Sequence, residues 1–405
     1  MISRLLLLLL LPACGLAQSW PVPRTAGGPG ESFFSSAAPQ IFEIEMSRAA
    51  VDSLRAEPRE YVRATVRTGG RSYTNVGVHI KGVATLRPVD DQPSLTLNFS
   101  KFEQAQRFHG LRKIHLNNGK EDPTFLCEAL SAEMFAAAGL PVARVVHARP
   151  RLNGRDLGAY VAIEGFTPEF LERYFADPRG NLYDSGFRLD VDEPLERLQG
   201  KKPDHWKDLQ HLAAAAQTSN LNERWTQLAH LLDTNNFSKY LAMQTLTANW
   251  DGYAFYKNNY RIYHDPVSDR LHFMPHGMDQ TFARTTFALM PPRWEGMVAR
   301  AFVETREGRA LYQRQLARLF TNTWDTARLV RRVDELAAPL RPIIAAQGRA
   351  ATVEHDRQVA ALRRRLEQRG QFLTQQFATT NWMNLSPARN NAPSRRAVAI
   401  PDGGR

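Results

Sequence analysis

The chain reads as an α+β protein in two lobes, with an antiparallel β-rich first half around one main helix and a mostly helical second half. Three observations predict this. Between residues 40 and 164, apolar and polar residues alternate in short runs bounded by Gly, Pro, Asn and Asp, as in half-buried strands. One longer amphipathic run, 123–138, interrupts them and stops at Gly139 with Pro141 just beyond, a helix C-terminus. After residue 167 the alternation gives way to runs of helical length, broken by a single hairpin.

Taken in order, residues 1–17 are a leader. Arg4 supplies the positive start, Leu5 to Leu11 the apolar core, and Gly15-Leu16-Ala17 the small residues before a cut at Gln18. The apolar run is too short to span a bilayer. Leu11-Pro12-Ala13-Cys14 also resembles a lipoprotein box that would lipidate Cys14, but Pro12 is awkward there and plain secretion is the favoured reading. Either way the mature protein is expected outside the cytoplasm: secreted, periplasmic or on the cell surface. Lipidation of Cys14 would be its one link to a membrane.

Residues 18–38, rich in Pro, Gly and Ser, read as a flexible linker. The β-rich lobe follows over 39–166. Strands are predicted at 40–46, 61–67, 72–81, 94–99 and 113–116, with a short helix at 47–55 and a connector at 82–92. Beyond the main helix, 142–152 and 158–164 form a hairpin about Asn153-Gly154, a dipeptide that tolerates the left-handed backbone of a tight turn. The helical lobe spans 167–385, with helices at 168–175, 206–216, 220–232 and 235–247, and mainly helical runs at 294–319 and 324–376 broken near Pro339 and Pro342. The tail, 386–405, reads as disordered.

Composition bounds the function. Of 405 residues 43% are apolar, enough for a large core. The net charge of +11 suits anionic partners, yet much of it is arginine in the C-terminal helices, such as Arg363-Arg364-Arg365, which reads as a solvated face. No RNP-type aromatic motif, zinc knuckle or DNA-reading helix is present, so nucleic acid is not an expected partner. Cys14 and Cys127 are the two cysteines, and once the leader is removed no internal disulfide is available. Cys127 falls in an apolar helical pattern and reads as a small buried residue. The histidines are scattered, without HExxH or a Cys/His cluster, which argues against zinc. Neither a Walker A loop nor a GxSxG elbow occurs.

The chemistry concentrates between Asn249 and Phe282. Arg261-Ile262-Tyr263 and Leu271-His272-Phe273-Met274 read as strands joined by the turn 264–269. Such a hairpin brings Asp251, Asn259 and Asp279 to one end of a sheet. Two carboxylates and an amide oxygen in that arrangement suit phosphoryl transfer, with one carboxylate facing the incoming hydroxyl and the others holding magnesium.

The sequence resembles the spore-coat CotH kinase family, secreted atypical protein kinases, over roughly 41–282. The matching pieces are Val76-Gly77-Val78-His79-Ile80-Lys81-Gly82, Phe108-His109-Gly110-Leu111 leading to Leu116-Asn117-Asn118, and Asp122-Pro123-Thr124-Phe125-Leu126-Cys127-Glu128. Leu152-Asn153-Gly154, Gly158-Ala159-Tyr160-Val161-Ala162-Ile163-Glu164 and Gly180-Asn181-Leu182-Tyr183 follow, then the two aspartate motifs. The resemblance implies a two-lobed atypical protein-kinase-like fold that uses ATP with Mg2+, or Mn2+ in its place. It implies Asp251 as the catalytic-loop aspartate and Asp279 as the metal-binding one. Asn259 is the chosen amide ligand, with Asn258 its close competitor. Lys81 is the implied phosphate-gripping lysine, with Lys101 and Lys113 as alternatives, and Glu128 its implied partner, with Glu133 as rival. Glu164 ends the strand where the chain leaves the β lobe, so backbone around 163–166 is expected to face the adenine ring. The chain departs from the family pattern at His79, where arginine is common, and at Gln92, where a basic residue is common.

Three functional readings follow. The first is a secreted, Mg-dependent kinase that transfers the ATP γ-phosphoryl group to Ser/Thr hydroxyls of a surface or extracellular protein. The second is a weak or inactive surface protein of the same fold that binds a protein, glycan or nucleotide, a reading that His79 and Gln92 favour. The third, an aspartate-based glycan hydrolase, depends on the spacing of the carboxylates.

Overall fold

Residues 62–68 show how alternation becomes a sheet: Val62, Ala64, Val66 and Thr68 are buried while Arg63 and Arg67 face solvent. The computed structural model describes residues 28–83, 85–200, 206–290 and 293–379. The predicted leader with Cys14, the first part of the predicted linker and the predicted tail lie outside the described residues.

The elements run α1 (Glu31–Phe34), β1 (Gln40–Glu45), α2 (Arg48–Ala56), β2 (Val62–Thr68), β3 (Arg71–Ile80), β4 (Leu95–Asn98), β5 (Lys113–Asn117) and α3 (Cys127–Ala137). Then come β6 (Val145–Leu152), β7 (Arg155–Asp156), β8 (Tyr160–Glu164), α4 (Pro168–Leu171), β9 (Asn181–Asp184) and β10 (Glu196–Gln199). The remainder is α5 (Lys207–Gln217), α6 (Leu221–Leu231), α7 (Thr234–Leu246), α8 (Tyr253–Tyr256), β11 (Tyr260–Asp265), β12 (Arg270–Pro275), α9 (Met297–Glu304), α10 (Arg306–Thr323), α11 (Thr326–Ala337), α12 (Arg341–Ala345) and α13 (Arg349–Thr379). This is an α+β chain, strands first and helices second. No helix among the described residues is long and apolar enough to cross a membrane.

Eight strands form one sheet in the order β1-β2-β3-β4-β5-β8-β6-β7. Its neighbours are antiparallel except that β1 also pairs in parallel with β6, Gln40 opposite Ala148 and Ile44 opposite Leu152. That pairing closes the sheet on itself and removes two edges that would otherwise offer unpaired backbone. Its interior is filled by residues such as Phe42, Val66, Val78, Leu97 and Ile114. A second, four-stranded antiparallel sheet runs β10-β9-β11-β12. The largest apolar cluster joins this sheet to α3, α5–α7 and α9–α13. Helix α7 lies within it, buried on all sides from Phe237 to Leu246 except for Lys239.

Several expectations need correction. The linker reading fails from residue 28 on, where Gly30 N–H donates to His109 O and Phe33 is buried against Phe42 and Phe108. The main helix begins at Cys127, not at 123. The Asp122 carboxylate accepts from the backbone N–H groups of Thr124 and Cys127, and Phe125 takes a left-handed backbone between them. Strands β9 and β10 were not expected. Each is four residues long, too short for alternation to show. The run 294–319 is divided at Thr305, whose hydroxyl caps α10 by accepting from Gly308 N–H. Glycine is required at 308, because a Cβ there would stand 2.2 Å from Phe302 O. The breaks near Pro339 and Pro342 fall where α11 gives way to α12.

Candidate active site

The segment that carries Asp251 is set by the end of α7. Ala248 adopts a left-handed backbone, Asn249 N–H returns to Gln244 O, and Gly252 N–H bonds Asn249 O. Gly252 is needed for this turn, since a Cβ there would meet the Gln244 side chain at 2.9 Å. Asp251 emerges 7% exposed, and two asparagines hold its carboxylate. Asn259 Nδ2 donates to one oxygen at 2.6 Å, and Asn258 Nδ2 reaches both at 3.2 and 3.3 Å. Burial pushes the Asp251 pKa up, while the two amides pull against it. The structure therefore brings both candidate asparagines to Asp251.

Asp279 arrives from the other side of the hairpin. Past β12, His276 N–H bonds Asn259 O, extending the strand register by one step. Met278 N–H then donates to Glu128 Oε2 at 2.6 Å, Thr281 Oγ pairs with Ser131 Oγ at 2.8 Å, and Phe282 N–H bonds Thr247 O at 2.8 Å. These bonds tie the Asp279 loop to α3 and to the end of α7, and so set Asp279 near Asp251. Asp279 has no hydrogen-bond donor among the described residues, and its pKa is pushed up by burial first, then by the charges of Asp122, Asp251 and Glu121. Glu128, 4% exposed, is pushed up in the same way by burial and by Asp279. A carboxylate without a donor, among like charges, is a place for a cation.

Asp279 and Glu128 line a narrow, partly open cleft together with Thr85, Ser94, Asn117, Asn118, Gly119, Asp122 and Val161. Lys81 reaches it: its Nζ donates to Asn117 Oδ1 at 2.7 Å. Burial lowers the Lys81 pKa to about 8, opposed by the charges of Glu128 and Asp279. Lys101 instead lies over the Tyr61 ring, 4.8 Å from its centroid. Lys113 is also lowered by burial, and its charged neighbours are Arg261, Glu196 and Asp184 rather than the two cleft carboxylates. Of the three lysines, Lys81 is the one placed at the cleft. Glu128 is its electrostatic neighbour but not its bonded partner, and one Glu128 oxygen instead accepts from Met278 N–H. Glu133 points elsewhere, in a bidentate pair with Arg332 of α11.

Glu164 does not line this cleft, and the contact expected of it with an adenine ring falls to backbone and not to its side chain. Its carboxylate is fully buried between Arg144 and Arg173, with contacts of 2.7 and 2.6 Å, and is committed to them. His79 and Gln92 have structural roles: His79 packs edge-on against Tyr61, and Gln92 O accepts from Asn118 Nδ2 at 2.8 Å, steadying a cleft residue. Sequence reasoning assigned no role to Asp122, Asn117, Asn118 or Glu121. The runs Asn117-Asn118-Gly119 and Asp122-Pro123-Thr124 carried turn chemistry that marked the place, though not its function.

Among the described residues, no group of three or more His, Cys, Asp or Glu side chains could hold a metal on its own. Magnesium does not demand one. It binds through one or two carboxylates plus substrate phosphates and water. The donor set here, all hard oxygens at one end of a cleft that a lysine enters, fits that mode. Gly277 backs this arrangement with φ at +55°, and a Cβ there would stand 2.7 Å from Asn259 Oδ1. Gly277→Ala is therefore expected to displace Asn259 from Asp251 and, if the cleft takes MgATP as the resemblance implies, to weaken that binding by about tenfold. Titration calorimetry with MgATP checks this, and an unchanged affinity would refute the contact's importance.

The CotH kinase protein family model matches residues 78–373. The chain is 26% identical to the inner spore coat protein H of Bacillus subtilis (strain 168) over 198 residues, 45% of this chain and 53% of that protein. It is 21% identical to the invasin CotH2 of Rhizopus delemar over 357 residues, 78% of this chain and 59% of that protein. The matches thus span little more than half the length of these relatives. Among solved structures, the Helicobacter pylori proinflammatory kinase CtkA aligns with 68% of this chain and 94% of its own, at 10% identity and a TM-score of 0.32. With the family match running through most of the chain, from β3 to α13, and taking in the Asp251 and Asp279 loops, this protein belongs to the CotH kinase protein family.

Proposed function

We propose that this chain is a secreted, Mg-dependent atypical protein kinase that transfers the ATP γ-phosphoryl group to Ser/Thr hydroxyls of a surface or extracellular protein. The observation that carries the reading is Asp279, without a donor, on a cleft that Lys81 reaches, with Asp251, held by two amides, close enough for its charge to act on Asp279. Family membership supports kinase-like chemistry. On this reading the closed β sheet with α3 and the helical remainder act as two lobes about the cleft. The leader reading of residues 1–17 supports secretion.

In the proposed reaction an acceptor hydroxyl lies beside Asp251, which orients it and takes its proton as the new O–P bond forms. The bond between the γ-phosphorus and the β,γ-bridging oxygen breaks, and ADP leaves with that electron pair. Lys81 is placed to grip phosphate oxygens, and Asn117 fixes the direction of its ammonium. Asp279 would hold magnesium, with the amide oxygen of Asn259 as the second protein ligand. The ion would neutralise charge on the phosphates. Positioning and charge account for most of the catalysis expected of such a site.

The second reading, a weak or inactive surface protein of the same fold that binds a protein, glycan or nucleotide, is favoured by one observation: Lys81 bonds Asn117 rather than Glu128. Two measurements separate the readings. ATP with Mg2+ should raise the melting temperature where neither does alone, and label from the γ-phosphate should then pass to the protein itself or to a generic acceptor. A shift without transfer supports nucleotide binding under the second reading, and no shift with MgATP defeats the kinase reading.

A further inference from the structure

The long C-terminal helix α13 sends one side chain into the centre of the protein. Arg369 is 0% exposed, and no carboxylate stands within ion-pair distance of it among the described residues. Its guanidinium instead donates to four backbone carbonyls. Nε bonds Leu246 O at 3.1 Å and one terminal nitrogen bonds Thr245 O at 2.7 Å, both at the C-terminal end of α7. The other terminal nitrogen bonds Thr285 O at 3.2 Å and Phe287 O at 2.5 Å, in the segment that follows Asp279. The first pair lies five residues before Asp251 and the second begins six residues after Asp279.

Two features make the contact specific. The last carbonyls of a helix lack intrahelical partners and carry its negative dipole end, so a cation without a carboxylate is stabilised there. The planar fork of arginine reaches two separate strands of backbone at once, which the single ammonium of lysine does not. Tyr312 of α10 braces the same junction, its hydroxyl contacting Thr245 Oγ and Leu289 O. Next along α13, Gly370 brings the helix against α11, where a Cβ would stand 2.1 Å from Thr326 Oγ.

We infer that Arg369 is a positioning residue for Asp251 and Asp279: it locks the end of α7 to the segment after Asp279, and so makes α13 part of the machinery that sets the spacing of the two carboxylates. Its effect on catalysis rests on the kinase reading above, while its effect on the two loops does not.

The test uses the full chain and Arg369→Lys, which keeps charge and bulk. Hydrogen exchange should quicken in 247–252 and 280–289 and stay unchanged in the closed β sheet. In the transfer assay kcat should fall at least about tenfold, with KM for ATP within about twofold. Leu373→Val, on the same helix but buried in the apolar core, serves as the stability control, and should leave exchange in both loops and kcat at wild-type values. Wild-type exchange in both loops of Arg369→Lys would overturn the inference, as would the same changes in Leu373→Val. If the wild type transfers no phosphate, the kinase reading fails, and the exchange measurement still decides the role of Arg369.

Discussion

Asp251→Asn should lower phosphoryl transfer by about 10²- to 10⁴-fold while MgATP still stabilises the protein against heat. The substitution keeps size and shape and removes the ability to take a proton. The two amides that hold the carboxylate remain, although one of them would now face an amide instead of an oxygen. Nucleotide binding survives in this account because Lys81, Asp279 and the cleft wall are untouched. A pH profile extends the test. Burial raises the Asp251 pKa, so the wild-type rate should fall with decreasing pH through a midpoint above the ordinary aspartate value. Transfer by Asp251→Asn within about threefold of wild type would remove Asp251 from the reaction.

Asp279→Asn should abolish the Mg-dependent thermal shift and, unusually for a buried site, stabilise the ligand-free protein at alkaline pH. Asp279 and Glu128 both have pKa values raised in the folded state, Asp279 by burial and the charges of Asp122 and Asp251, and Glu128 by burial and the charge of Asp279. For an acid whose folded pKa exceeds its unfolded value, the folded state binds more protons, so stability falls as pH rises from the usual carboxylate range through the raised value. A divalent cation reverses the penalty, because it takes the place of the proton. Mg2+ with ATP should therefore stabilise the wild type more at about pH 8 than at about pH 6. Asparagine at 279 removes one of the two charges. The ligand-free variant should be the more stable protein at both pH values, by on the order of 1 kcal/mol more at about pH 8 than at about pH 6, a further rise of roughly 2 °C in melting temperature. Melts at both pH values, with and without MgATP, measure all of this. A Mg-dependent shift retained in Asp279→Asn would place the metal elsewhere.

What could be read from the residues depends on how local the controlling physics is. Alternation in 62–68 and the Asn153-Gly154 turn report contacts within a few positions, and both stand in the structure. The prolines at 339 and 342 likewise mark where helix gives way. The aspartates at 251 and 279 were legible because a hairpin between them has few ways to close. Only the tertiary structure decided what depends on distant partners. The parallel pairing of β1 with β6 joins segments about a hundred residues apart, and neither segment marks the other. The selection of Lys81 over Lys101 and Lys113 follows from which strand end reaches Asn117. Glu164 looks like an exit residue in sequence, yet two arginines from elsewhere claim its charge. Arg369 sits in an arginine-rich helix whose pattern suggests a solvated face, and its burial against four carbonyls appears only once α13 has packed on α7. Periodicity and turn chemistry are properties of neighbours along the chain, whereas a buried charge takes its role from groups that folding brings to it.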